Sequence, residues 1–98
     1  MFVTVWEYEV RPGSERAFEG LQGADGAWVE LFRAHAGYLG SEVLRDESTR
    51  RYLTIDRWAS AADYDRFLEA GQVRYAQIDS LGDALTVTER RLGRFETP

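Results

Sequence analysis

The chain has no cysteine, no lysine and no asparagine, and its one histidine is His35. Without cysteine there is no disulfide, thiolate nucleophile, iron–sulfur cluster or common structural zinc site. Without lysine, Schiff-base chemistry and the usual phosphate-binding loop are excluded. A single imidazole cannot assemble a poly-histidine centre, so no metal site is expected. No apolar run approaches the ~20 residues of a membrane span, so no membrane partner is expected either. The start, MFVTVWEYEV, interleaves charge with apolar residues, unlike a secretory signal, and a cytoplasmic location is the expectation. The 12 basic residues are all arginine, against 17 acidic ones, for a net charge of −5. The best basic cluster, Arg90, Arg91 and Arg94, is flanked by Glu89 and Glu96, which argues against a nucleic-acid partner.

What is present is apolar and aromatic. With 98 residues, 44% hydrophobic and 13% aromatic, the chain is predicted to fold as one domain over residues 1–98. Period-2 alternation predicts a strand over 2–10, with Phe2, Thr4, Trp6, Tyr8 and Val10 on one face and Val3, Val5, Glu7 and Glu9 on the other. Arg11-Pro12-Gly13-Ser14 stops it, and Ser14 suits a helix N-cap. A first helix then carries Ala17, Phe18, Leu21, Trp28, Leu31 and Phe32, with a break expected near 22–25 because Gly20, Gly23 and Gly26 crowd it. Asp25 is the expected cap of its second piece. Residues 38–45 and 50–58 form a predicted antiparallel hairpin, with Tyr52, Thr54, Asp56 and Trp58 sharing a face. Ser60 caps a second helix that buries Tyr64, Phe67 and Leu68, breaks at Gly71 and resumes with Val73, Ile78 and Leu81. A last strand is expected over roughly 85–95.

The order β-α-β-β-α-β predicts an α+β, ferredoxin-like sandwich, a four-stranded antiparallel sheet with the helices on one face. The other face then exposes Val3, Val5, Leu53 and Ile55, and such a patch predicts a homodimer packed sheet against sheet.

Three segments carry a family resemblance: VRPGSERAFE, GYLGSEVLRD and YLTIDRWASAADYDRF. Together they resemble the antibiotic-biosynthesis monooxygenase superfamily over nearly the whole chain. The resemblance implies a dimeric α/β barrel with a pocket in each subunit between sheet and helices. It also implies a choice among cofactor-independent quinol or anthrone oxidation, haem degradation and functions without assigned activity. Trp58 matches a tryptophan of the haem-degrading and anthrone-oxidising branches. Where the haem branch carries asparagine and histidine, this chain has Trp6 and Gln77, which disfavours haem degradation. Where the anthrone branch carries asparagine, it has Thr54.

Each candidate residue carries two readings. Asp56 is a general base in an apolar cavity if its strand face looks toward the helices, or else a carboxylate paired with an Arg or a Tyr hydroxyl or lying at the open sheet end. Trp58 is a pocket wall or an anchor for the following helix. His35 is a proton shuttle or axial ligand, or a cation at a helix C-terminus. Trp6, Tyr8, Trp28, Tyr52 and Tyr64, with Thr54, line a pocket for a flat aromatic ligand or fill a core. The resulting expectation is a monooxygenase or related oxidoreductase, with no cofactor, acting on a small aromatic or quinol-like substrate. The alternatives are a non-catalytic dimeric module that binds a hydrophobic small molecule and, more remotely, haem binding through His35.

Overall fold

A computed structural model describes residues 1–98. Its elements are β1 (Phe2–Val10), α1 (Glu15–Gln22), α2 (Ala27–Arg33), β2 (Tyr38–Arg45), β3 (Arg51–Trp58), α3 (Ala61–Ala70), α4 (Gln72–Asp83) and β4 (Thr86–Glu96). The four strands form one antiparallel sheet in the order β2-β3-β1-β4, the ferredoxin-like α+β arrangement that the sequence predicts. No helix is long and apolar enough to cross a membrane.

Strand parity fixes the inner face. β1 pairs with β3 so that Phe2 faces Trp58, Thr4 faces Asp56, Trp6 faces Thr54 and Tyr8 faces Tyr52. Alternation then sends this whole set toward the helices. The core they build is aromatic: Phe2, Trp28, Phe32, Trp58, Tyr64 and Phe67 pack with Ile78. Trp58 sits at its centre, stacked on Phe67 at 5.1 Å and edge-on to Phe32, Tyr38 and Tyr64. A smaller cluster of Val10, Phe18 and Tyr52 closes the other end.

The helical layer departs from expectation in three places. Gly26, not Asp25, is the N-cap of α2, and no side chain caps it. Ser14 likewise makes no side-chain cap bond, whereas Ser60 accepts the Asp63 N–H at 3.1 Å. On α4 only Ile78 is buried, while Val73 and Leu81 are exposed. The inward side of α4 instead carries Tyr75, Ile78 and Asp79, at i, i+3 and i+4. A step of five residues turns Val73 well away from Ile78.

β2 holds one irregularity with consequences for the site. Tyr38 pairs with Trp58 and Ser41 with Asp56, with a register shift between Tyr38 and Gly40. Two residues three apart ordinarily face opposite sides of a sheet. The extra residue puts both on the inner face. Gly40 adopts φ +138°, backbone that side chains with a Cβ rarely tolerate.

The corner between α1 and α2 is tight. A Cβ at Gly26 would collide with the Gly20 and Leu21 carbonyl oxygens, whereas one at Gly20 would meet nothing within 4 Å. Gly26→Ala is expected to cost more than ~1 kcal/mol, and Gly20→Ala to gain roughly 0.5–1 kcal/mol from helix propensity. Urea denaturation of the two variants checks the contrast.

Candidate functional site

Between the inner sheet face and the helices lies a cavity lined by Trp6 and Tyr8 from β1, Thr54 and Asp56 from β3, and Glu89 from β4. The helices add Gln22, Trp28, Phe32, Tyr64, Tyr75 and Asp79. It is narrow, with a volume of about 30 Å³, room for a couple of waters. A flat aromatic molecule therefore enters only as the lining rings move. Trp28 and Tyr75 meet edge-on at 4.8 Å, and Trp6 and Tyr8 lie stacked at 6.4 Å.

Asp56 is the cavity's distinctive polar group. Burial pushes its carboxyl up from 3.8 to about 6, against the opposing pull of the Ser41 hydrogen bond and the Arg57 charge. Ser41 Oγ donates to Asp56 Oδ1 at 2.6 Å, and the Tyr38 hydroxyl lies 2.7 Å from Ser41 Oγ. Thr4, directly across from Asp56 on β1, has a buried hydroxyl that falls short of hydrogen-bond geometry but lies near enough to Asp56 to favour its charged form.

The phenols around the carboxylate remain protonated at neutral pH. Burial raises Tyr8, Tyr64 and Tyr75, and the charge of Asp56 adds to each. They stand as hydroxyl donors around an apolar space. No basic side chain lines the cavity. At its α4–β4 side burial raises Asp79 and Glu89; the Asp83 charge adds to both, and the Asp79 charge adds to Glu89. Carboxylate oxygens of Asp79, Asp83 and Glu89 lie within 4.8 Å of one another, the one cluster with the spacing of a cation site.

Of the sequence candidates, Asp56, Trp6, Tyr8, Trp28, Thr54 and Tyr64 come together around this space. Trp58, Tyr52 and His35 do not. Trp58 is wholly buried and its indole N–H has no partner, so it packs the core beside the cavity rather than lining it. Tyr52 turns toward α1 and donates to Glu19 Oε2 at 2.6 Å. His35 packs edge-on against Phe67, 5.0 Å away, and is not among the lining residues. The sequence reading overlooked Tyr75, Asp79 and Glu89. The first two were findable from their i, i+3, i+4 spacing with Ile78. Glu89 was hidden by the register shift between Val5 and Trp6, which breaks the alternation of β4.

The Asp56 assignment has a thermodynamic signature. Its carboxyl is raised on folding, so the folded chain holds the proton more tightly and stability falls as pH rises from about 4 to about 6. Above that range the buried charge costs on the order of 2–3 kcal/mol. Asp56→Asn is expected to flatten that fall and to exceed the wild type in stability at pH 7.5. Urea midpoints at pH 4 and pH 7.5 test it, and parallel pH dependence in the two proteins would contradict it.

Comparison with known proteins supplies the family. No curated protein sequence matches significantly. Among solved structures, a mutant of SnoaB, a cofactor-independent oxygenase from Streptomyces nogalater, superposes with a TM-score of 0.77 at 20% identity, covering 98% of this chain and 91% of that one. A monooxygenase from the gene ActVA-Orf6 of Streptomyces coelicolor, in complex with nanaomycin D, also gives a TM-score of 0.77, at 17% identity over 99% of this chain and 87% of that one. At such identities the likeness establishes the fold. The family profile for antibiotic biosynthesis monooxygenase matches residues 1–77, and the chain belongs to that family.

Proposed function

We propose that the protein is a cofactor-independent monooxygenase for a small, neutral aromatic substrate of the phenol, anthrone or hydroquinone class. The observation that carries this reading is Asp56: a carboxyl raised to about 6 in an aromatic-lined cavity, ionised at neutral pH and basic enough to take a proton. Asp56 removes the acidic proton of the bound substrate, from the O–H of a phenol or hydroquinone or from the activated C–H of an anthrone. The resulting anion, with carbanion character on a ring carbon, supplies electrons to dioxygen and forms a peroxide on that carbon. Loss of water from the peroxide, with removal of the hydrogen that remains on the same carbon, leaves a carbonyl. One oxygen atom ends in the product and the other in water. The protonated phenols of Tyr8, Tyr64 and Tyr75 offer hydrogen bonds to the negative charge that develops. The carboxylates and absence of basic lining side chains favour a substrate that arrives uncharged. The family membership and the oxygenase neighbours support the same reaction class.

Oxygen uptake with a panel of anthrones and hydroquinones tests the reading. Asp56→Asn is expected to lose about 10²–10⁴-fold in turnover. Equal rates in the two proteins would remove Asp56 as the base. A second reading, a binding module for a hydrophobic small molecule, draws on the placement of Trp58 and His35 away from the cavity, which leaves one candidate base. Thermal stabilisation by aromatic ligands without oxygen uptake would favour it.

The outer sheet face supports a homodimer. Val3, Val5, Leu53 and Ile55 stand on it half-buried, with no element of the chain packed over them, and Phe95 and Leu44 extend the patch. Ion pairs fringe it, Arg57–Glu42 at 2.6 Å and Arg51–Glu7 at 4.0 Å. A dimeric mass is expected in light scattering at micromolar concentration, with Ile55→Asp shifted to monomer. A monomeric wild type would refute the dimer.

A further inference from the structure

We propose that Ser41 and Tyr38 form a hydroxyl relay that positions the Asp56 carboxylate and connects it, from the cavity, to a second cleft between α2 and β2. The inference rests on Asp56 acting as the base, and it adds two positioning residues and a second cleft to that reading.

The direction of the chain follows from its donors. A carboxylate only accepts, so Ser41 must donate to Asp56 Oδ1, as the 2.6 Å contact requires. The serine hydrogen is then spent, and the 2.7 Å contact has Tyr38 donating to Ser41. Tyr38 and Ser41 also line a cleft with Arg33, Leu39 and Gly40, which shares no residue with the cavity lining. Burial raises the Tyr38 phenol and the Asp56 charge adds to the rise, while the Ser41 hydrogen bond and the Arg33 charge oppose it. The tyrosine ring is held between Phe32 and Trp58, 5.4 and 5.3 Å away. Trp58 therefore reaches the site through Tyr38.

The bulge makes the relay possible. With regular pairing, residues 38 and 41 would face opposite sides of the sheet. The extra residue before Gly40 turns both hydroxyls inward, toward the carboxylate. Bulges beside active sites commonly re-aim side chains in this way.

The relay conserves protons. The Ser41 hydrogen moves to Oδ1, the Tyr38 hydrogen moves to Ser41, and a hydronium ion of the solvent in the cleft returns one to Tyr38. The carboxylate has then become a carboxylic acid and the hydronium ion a water molecule. Run backwards, the same steps return the proton to the cleft. A half-turn of the carboxyl presents a proton gained on the cavity side. The other charged or titratable groups facing Asp56 are Arg57 on its own strand, Tyr8 from β1, Tyr64 from α3, Tyr75 and Asp79 from α4, and Glu89 from β4. None of them is altered in the test variants.

Carbon-13 titration of the aspartate carboxyls, with Asp56→Asn for assignment, tests the relay without any substrate. Ser41→Ala is expected to raise the Asp56 midpoint by about one unit, since the lost bond favoured the charged form. Ser41→Thr keeps the hydroxyl and is expected to restore it. Tyr38→Phe keeps the ring and is expected to raise the midpoint by less, with kcat lowered and KM unchanged wherever turnover is measurable. Wild-type midpoints in both Ser41→Ala and Tyr38→Phe overturn the proposal. So does a shift in Ser41→Ala with Tyr38→Phe unchanged in midpoint, which would leave Tyr38 outside the chain. Oxygen uptake that survives in Asp56→Asn defeats the base assignment instead, and the titrations still report the hydroxyl coupling. If Ser41→Ala does not fold, Tyr38→Phe alone decides.

Discussion

The structure depends on the burial of one indole. Trp58 ends β3 with no exposure and touches rings from α2, β2 and α3, so it ties the sheet to the helical layer at the point where the chain leaves the sheet. A large aromatic at that position supplies much apolar area with few rotatable bonds. Two residues earlier on the same face, Asp56 inherits a fixed backbone and a largely aromatic environment. The same packing that makes β3 immobile makes its carboxylate expensive to ionise. Stability and chemistry are therefore in tension along a single strand.

Much of this was legible from sequence because β1 and β3 alternate cleanly. Period-2 patterning put Thr4, Trp6, Tyr8, Thr54 and Asp56 on one face, and the pairing register agrees. Parity gives the side of the sheet but not the depth or the lateral position. That is why Tyr52 and Trp58, on the correct face, pack in clusters rather than around the cavity. Where the alternation is broken, the sequence reading loses the thread. The bulges in β2 and β4 hid Ser41, Tyr38 and Glu89. On α4, weak amphipathicity drew attention to the larger aliphatic residues and away from Tyr75 and Asp79.

The absence of lysine and asparagine also reads differently beside the geometry. The cavity has to obtain its polarity from carboxylates, phenols and hydroxyls, with one glutamine amide from α1. Phenols raised by burial are donors, and a carboxylate is an acceptor, so the site has both halves of a proton-transfer apparatus without an imidazole or an amine. No arginine lines the cavity: Arg57 pairs with Glu42, and Arg94, across from Thr4 on β4, lies over the Phe2 ring at 5.0 Å.

The narrowness of the cavity has a kinetic consequence. A space for a couple of waters admits a ring-sized ligand only after Trp28, Tyr75 or Trp6 rotates. Entry is then timed by the opening of packed rings, and encounter in solution sets only an upper bound. Such gating makes residence times long relative to affinity, because departure requires the same rotation. A ring seated there would displace the few waters the space holds and leave the Asp56 carboxylate among rings and hydroxyls.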